Sequence, residues 1–144
     1  SCGAQFPKIV NNILRNKNFL TVKLWGMAIN NLRVNKKYNI AYSVVTKEDL
    51  AELNKIGTPE EIEMYLHSDV FGDVAGFLGN LSDVKAIMLL REEDGKIKGS
   101  LRTSKPEVDI SGLAKYLGGG GHPKASGFTV DGTIVKKGDG WEII

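Results

Sequence analysis

The chain has 144 residues, 42% hydrophobic and 25% charged, which is enough for one domain with a core of its own. A single cysteine excludes an intrachain disulfide framework and suits a reducing compartment, so we expect a cytoplasmic protein. The apolar run 86–90 is far shorter than the roughly 20 residues that span a bilayer, so we expect no membrane association.

The net charge of +2 hides a strong segregation along the sequence. Residues 1–47 carry a net charge of +8 with no acidic residue, residues 48–94 carry −9, and residues 95–144 carry +3. A basic first third can attract a polyphosphate backbone. It can equally face the acidic middle third within the fold or across a homodimer. We favour this neutralisation because the basic residues are dispersed.

Helical periodicity dominates residues 1–36. Two apolar stripes with the spacing of a helix face occur there, formed by Phe6, Ile9, Val10, Ile13 and Leu14 and then by Leu20, Leu24, Met27, Ala28 and Leu32. The sequence therefore predicts two consecutive helices before the first strand.

One strand and three helices are predicted between residues 38 and 81. They are a strand over Tyr38–Val45, a helix over Lys47–Asn54 capped by Thr46, a helix that begins at Pro59 after Thr58, and a helix over Asp69–Leu81. The spacing of Thr58 and Glu61 is that of a capping box, and proline is favoured in the first helical turn. The glycines of the last helix allow close packing against a sheet.

A β-hairpin is predicted next. Val84–Leu90 is almost continuously apolar, as in a central strand buried on both faces. Asp94-Gly95 is a turn signal, and the alternating residues 96–104 form the returning strand. On that strand Ser100, Arg102 and Ser104 share one face, whereas Leu101 and Thr103 share the other. Arginine suits bidentate phosphate contact, although a lone arginine on a hairpin is more often solvated surface.

The glycine run at residues 118–121, followed by His122, is the most distinctive segment. Before it, Ile110, Leu113, Ala114 and Leu117 predict a short helix that Asp109 can cap and that ends in a left-handed conformation at Gly118. After it, strands are predicted over Gly127–Val130 and Thr133–Val135. A flexible linker is the alternative for a glycine-rich segment, but a compact passage from helix to strand disfavours it.

Glycines at this density indicate that backbone meets a ligand. Each glycine costs roughly 0.5–1 kcal/mol relative to alanine within regular structure, but it gives access to positive φ. Successive N–H groups can then converge on an anion. His122 at the rim can donate a hydrogen bond and can carry charge near neutrality. We therefore predict a phosphate-binding loop in which alanine at Gly120 would damage ligand binding, through loss of positive φ or of close approach.

These two segments resemble a known family. Ser100-Leu101-Arg102-Thr103, the short helix, and Gly119-Gly120-Gly121-His122 with Ala125 and Gly127 are similar to the signature of the DHH-associated domain. That domain is the C-terminal lobe of DHH-superfamily phosphoesterases of the oligoribonuclease and phosphoadenosine-phosphate phosphatase type. The resemblance extends from about Lys37 onward. It implies that Arg102 and His122 hold the substrate phosphate, that the glycines close around it, and that Ser100 and Thr103 belong to the same site.

The resemblance also implies that the chemistry resides elsewhere. Family members hydrolyse phosphoesters with two metal ions, manganese or a similar divalent ion, held by the N-terminal lobe with its Asp-His-His motif. That motif is absent here, and the chain has only two histidines. We therefore assign this chain no catalytic residue, no metal ligand and no cofactor, and expect it to be inactive alone. A cluster of His67, Asp69 and Asp73 is conceivable, but an ordinary helix cap explains this segment better.

The predicted fold is thus α/β, a mixed sheet with helices packed against it, preceded by linking helices. By the resemblance, residues 1–36 form a helical linker to the missing catalytic lobe and residues 37–144 form the substrate-binding domain. Its expected ligand is a phosphate-bearing nucleotide or short oligonucleotide, and its expected partners are the DHH lobe of the same full-length chain and a second copy. The alternative is a nucleic-acid-binding module without hydrolase activity, because the segment also resembles the C-terminal part of alanyl-tRNA synthetases.

Overall fold

A mixed six-stranded sheet organises the computed structural model, which describes residues 19–67 and 69–144. Its strands are β1 (Arg33–Asn35), β2 (Ile40–Val45), β3 (Ala86–Glu93), β4 (Lys96–Arg102), β5 (Gly120–His122) and β6 (Ala125–Asp131). They lie in the order β1-β2-β3-β4-β6-β5, with β2 and β3 parallel and the other neighbours antiparallel. The predicted α/β fold with a mixed sheet is therefore confirmed.

Helices and a second small sheet cover the two faces. The helices are α1 (Phe19–Asn30), α2 (Lys47–Leu53), α3 (Pro59–His67), α4 (Val70–Leu78) and α5 (Ser111–Tyr116). The strands β7 (Ile134–Lys137) and β8 (Gly140–Ile143) form a separate hairpin. None of the helices within the described ranges is long and apolar enough to cross a membrane.

Strand alternation produces two hydrophobic cores, one on each face. Ala41 and Val45 of β2 join Ile87 and Leu89 of β3 in a first core with α1, α2 and α4. The intervening residues, such as Val44 and Leu90, join a second core with α5 and the β7–β8 hairpin. Strand β3 is therefore buried on both sides, as its apolar sequence predicted. The first core does not extend over β4, β6 and β5. On that side of the sheet these three strands present short or polar side chains.

Local signals fix several element boundaries. Thr46 caps α2 in a capping box with Asp49. Thr58 and Glu61 exchange hydrogen bonds of 3.0 and 3.2 Å between backbone N–H groups and side-chain oxygens at the start of α3. The β3–β4 turn has positive φ at both Asp94 and Gly95, the geometry that suits a two-residue hairpin.

The structure differs from the sequence prediction at several points. Strand β2 begins at Ile40, because Tyr38 and Asn39 belong to the preceding turn. Strands β1, β5 and β8 were not predicted. Asp69 occupies the N-cap of α4 without a side-chain capping bond. Of the proposed linker region, α1 packs into the first core and β1 joins the sheet, whereas the apolar stripe over residues 6–14 lies outside the described residues.

Candidate functional site

Three strands bring Arg102, Ala125 and His122 into one row. Arg102 of β4 lies opposite Ala125 of β6, and Ala125 lies opposite His122 of β5. Residues directly opposite each other share a face of a sheet. The arginine and the histidine, which are 20 positions apart in sequence, therefore flank a small side chain on the same face.

The next row on this face is almost free of side chains. Ser100 lies opposite Gly127, and Gly127 lies opposite Gly120. Helix α4 ends beside this surface, since a Cβ added at Gly79 would lie 2.8 Å from the Cβ of Arg102. Beyond that point the backbone of β4, β6 and β5 is open to a ligand. We call this surface, formed by Ser100, Gly120, Gly127 and the row of Arg102, Ala125 and His122, the glycine face.

The end of α5 leads directly into β5, which contributes to the glycine face. Gly118 has φ +83°, and the N–H groups of Gly118 and Gly119 donate to the carbonyls of Lys115 and Ala114 at 3.0 and 2.7 Å. This Schellman pattern confirms the predicted left-handed helix end. The start differs slightly: the N-cap position is Ile110. Asp109 instead accepts from the N–H and the hydroxyl of Ser111, and these hydrogen bonds lower the pKa of Asp109.

The glycine run forms an edge strand rather than a continuous nest. Within it, positive φ occurs at Gly118 and Gly121, so successive N–H groups do not all turn inward. Close approach explains two of the glycines. A Cβ at Gly119 would meet the carbonyl oxygen of Gly127, and a Cβ at Gly121 would lie 2.8 Å from the carbonyl oxygen of Ala125. At Gly120, by contrast, a Cβ would meet nothing within 4 Å.

Arg102 and His122 are held in different ways. Arg102 is half-buried, and its Nη1 donates to the carbonyl of Leu101 at 2.9 Å. His122 is exposed, and its Nδ1 accepts from the N–H of Lys124 at 3.2 Å. Because Nδ1 is an acceptor, the neutral ring carries its proton on Nε2. His122 can therefore donate a hydrogen bond to an anion even when it is uncharged.

Lys124 fixes the β5–β6 turn that carries His122. Its ammonium donates to the carbonyls of Lys105, Pro106 and Val108 at 2.6, 3.0 and 2.5 Å. Three carbonyl acceptors satisfy all three donors of an ammonium group. Lys124 therefore anchors the loop before α5 and is not a free cation for a ligand.

Replacing Lys124 with methionine should destabilise the fold. Methionine keeps much of the aliphatic length but leaves three carbonyls, two of them partly buried, without their donor. One charge-assisted hydrogen bond contributes roughly 1.5–3 kcal/mol. We expect a loss of about 2 kcal/mol in the free energy of unfolding, measured in urea, with faster amide exchange in residues 105–110. Lys115→Met, on the exposed side of α5, is the control. Equal stability of the two variants would show that the anchor contributes nothing.

Thr103 is not brought together with the other candidates. It is buried, its Oγ1 donates to the carbonyl of Lys85 at 2.6 Å, and the same oxygen accepts from the N–H of Lys105 at 3.1 Å. Its hydroxyl therefore supports the loop after β4. Arg102, Ser100, Gly120 and His122 do lie together on the glycine face, with Gly119 and Gly121 holding β5 close to β6.

Two basic residues that the sequence reasoning did not select also border this surface. An open cavity of about 390 Å³ adjoins the glycine face at Ser100 and Gly127, and its lining also includes Arg91, Lys98, Gly119 and Thr129 but not Arg102 or His122. Arg91 of β3 lies directly opposite Lys98 of β4. Strand alternation in the sequence could have indicated Lys98, because residues 98, 100 and 102 share one strand face. Arg91 could be placed there only from the register of the β3–β4 hairpin, which the sequence does not give.

No metal centre is evident in the described part of the chain. Within residues 19–67 and 69–144, no group of three or more His, Cys, Asp or Glu side chains is arranged to hold a metal ion. The guanidinium of Arg102, the imidazole of His122 and the hydroxyl of Ser100 on the glycine face can donate hydrogen bonds to an anion.

Comparisons with known proteins agree on one family. A family model described as the DHHA1 domain matches residues 37–138. The chain is 36% identical over 109 residues to the bifunctional oligoribonuclease and PAP phosphatase NrnA of Bacillus subtilis, an alignment that covers 76% of this chain and 30% of that protein. A solved structure of an exopolyphosphatase-related protein from Bacteroides fragilis matches with a TM-score of 0.60 and 26% identity, covering 85% of this chain and 33% of that one.

The chain thus spans about a third of the length of these relatives. The C-Ala domain of the alanyl-tRNA synthetase from Aquifex aeolicus also aligns, over 69% of this chain and 82% of that one. Its TM-score of 0.42 and its identity of 13% are too low to support an argument about function.

Proposed function

The chain belongs to the DHHA1 domain family, the domain associated with DHH phosphoesterases, and from this premise we propose that its glycine face binds a phosphate group of a nucleotide or short oligonucleotide. The bound ligand would be presented to a catalytic DHH lobe elsewhere in the full-length protein. The named activities of the Bacillus subtilis relative, on oligoribonucleotides and on PAP, favour this class of ligand.

The row of Arg102, Ala125 and His122 carries the proposal. It places a guanidinium and an imidazole on either side of a small side chain, next to backbone that a phosphate can approach closely. Guanidinium is the side-chain group best suited to bidentate phosphate binding. The absence of side chains at Gly120 and Gly127 leaves room for the sugar or for phosphate oxygens.

Hydrolysis itself is assigned to the other lobe. The described residues do not suit a divalent metal, since no cluster of three ligand side chains occurs among them. When bound in a catalytic lobe, manganese or a similar ion activates water and neutralises developing negative charge. The contribution of this chain is to bind the ligand at its phosphate and to orient it.

Comparing two ligands that differ only by phosphate tests this proposal. We expect adenosine 5′-monophosphate to bind the 144-residue chain at least about tenfold more tightly than adenosine, because one charge-assisted hydrogen bond contributes roughly 1.5–3 kcal/mol. Isothermal titration at one fixed, low salt concentration measures both affinities. Equal affinities, or no binding of the monophosphate, would contradict a phosphate site.

A further inference from the structure

A second group of charges lies on the same face, at the opposite end of β4 from Arg102. The Oε2 atom of Glu93 lies 3.5 Å from Nε of Arg91 and 3.2 Å from Nζ of Lys98. Two cations thus share one carboxylate, and a second carboxylate, Asp69, also interacts electrostatically with Arg91. Arg91 and Glu93 are only 17% and 16% exposed, whereas Lys98 is 39% exposed.

The contacts inside this group are charge contacts without good hydrogen bonds. Both Nε of Arg91 and Oε2 of Glu93 are buried without a hydrogen-bond partner of acceptable geometry. The guanidinium of Arg91 lies 4.1 Å from the ring centroid of Phe71, so the aromatic ring holds it in place. Burial lowers the pKa of Arg91 and Glu93 opposes that shift, so the guanidinium remains positively charged at neutral pH.

This group borders the cavity that adjoins the glycine face. Arg91 and Lys98 both line that cavity, together with Ser100 and Gly127. Lys98 and Arg102 are four residues apart on one face of β4, which corresponds to about 13 Å along a strand. Two phosphate groups of one oligonucleotide strand, with nucleoside between them, can contact both positions.

We propose that Arg91 and Lys98 form a second anion subsite, with Glu93 as its internal counter-ion, and that this subsite makes the domain prefer oligonucleotides to mononucleotides. The inference rests on the proposed function, because it takes Arg102 and His122 as the first phosphate subsite. Glu93 is the ion-pair partner of both cations in the free protein. A backbone phosphate then offers Arg91 and Lys98 the hydrogen-bond acceptors that Glu93 does not provide in good geometry.

The experiment measures the affinity of two ligands for one variant that removes a positive charge and one that removes a negative charge. The ligands are adenosine 5′-monophosphate and a 5′-phosphorylated adenosine tetranucleotide, titrated calorimetrically into the full chain at one low salt concentration. We expect Lys98→Met to weaken binding of the tetranucleotide about tenfold and binding of the monophosphate less than about twofold. Glu93→Gln should strengthen binding of the tetranucleotide severalfold, because it removes the competing anion.

The Lys137–Glu142 ion pair of the β7–β8 hairpin provides matched controls. Its atoms are 3.0 Å apart, and Lys137→Met and Glu142→Gln change the net charge in the same two ways at a remote place. If Lys98→Met and Glu93→Gln behave like these controls, or if Lys98→Met weakens both ligands equally, the second subsite is wrong.

The variant Arg102→Leu shows whether a negative result contradicts only the second subsite or the proposed function as well. We expect it to weaken both ligands, since both would use the first subsite. If it does so while the Lys98 and Glu93 variants match the hairpin controls, the proposed function stands and the second subsite falls. If Arg102→Leu changes neither affinity, the proposed function is wrong, and the inference that rests on it is wrong as well.

Discussion

Alanine at Gly119 should destabilise the folded chain by about 3 kcal/mol, the upper end of what a forced extra methyl group costs in a packed site. A Cβ at this position would meet the carbonyl oxygen of Gly127 and lie 2.7 Å from the Cα of Phe128. Both obstacles are backbone atoms of β6, so no side chain can move aside to relieve the contact. Strand β5 would have to separate from β6.

Gly120→Ala is the matched control for this prediction. The same methyl group at Gly120 would meet no atom within 4 Å, and Gly120 is not among the residues with positive φ. We expect its free energy of unfolding to change by less than about 1 kcal/mol. Urea denaturation of the two variants and the wild type measures the difference. Similar stabilities of Gly119→Ala and Gly120→Ala would contradict the close packing of β5 on β6.

Replacing Arg102 with leucine should weaken binding of adenosine 5′-monophosphate by roughly 10-fold to 150-fold. This range corresponds to the loss of a charge-assisted hydrogen bond of roughly 1.5–3 kcal/mol. Leucine retains apolar bulk beside Gly79, where the Cβ of Arg102 lies close to the end of α4. The fold should therefore survive the change. The ligand would lose the guanidinium that binds phosphate oxygens in pairs.

Lys96→Leu is the charge control for Arg102→Leu. Lys96 lies on the same strand, but it is exposed and paired with Asp131 at 2.9 Å. Calorimetric titration of both variants, with thermal unfolding as a check on folding, separates a direct contact from a change in net charge. Equal affinities of Arg102→Leu and Lys96→Leu for the ligand would show that Arg102 does not contact it.

Signals that act over a few residues predicted much of this fold. The cap at Thr46, the capping box at Thr58, the turn at Asp94-Gly95 and the left-handed helix end at Gly118 were all confirmed. Each of these features depends on contacts within about four residues. The alternation of Leu101 and Arg102 also held, since the period of a strand is fixed by its pleat.

Long-range pairing explains what the sequence did not reveal. The pattern around Gly120 does not resemble a strand, because glycine has no side chain to alternate; β6 imposes that conformation by pairing with it. Likewise, β1 at Arg33–Asn35 is exposed along its whole length, and its one apolar residue, Val34, is too little to indicate a strand. Arg91 joins the glycine face only through the register of β3 and β4.

The candidate site was partly predictable for the same reason. Ser100 and Arg102 could be placed on one strand face from their spacing, and the glycine run indicated His122 as a hydrogen-bond donor at its rim. The resemblance to the DHH-associated domain then placed Arg102 and His122 in one site. That resemblance is confirmed by the DHHA1 match over residues 37–138. The position of Thr103 depends on its hydrogen bond to the carbonyl of Lys85, 18 residues earlier. No local sequence pattern predicts a contact of this range.

The central claim, that the glycine face binds phosphate, is tested most directly by mapping the ligand on the protein. In a titration of the ¹⁵N-labelled chain with adenosine 5′-monophosphate, we predict the largest amide shift changes at Ser100–Arg102, Gly119–His122 and Ala125–Gly127. Adenosine should leave these signals nearly unchanged. Changes centred instead on the apolar groove between the sheet and the β7–β8 hairpin, lined by Tyr42 and Trp141, would contradict the claim.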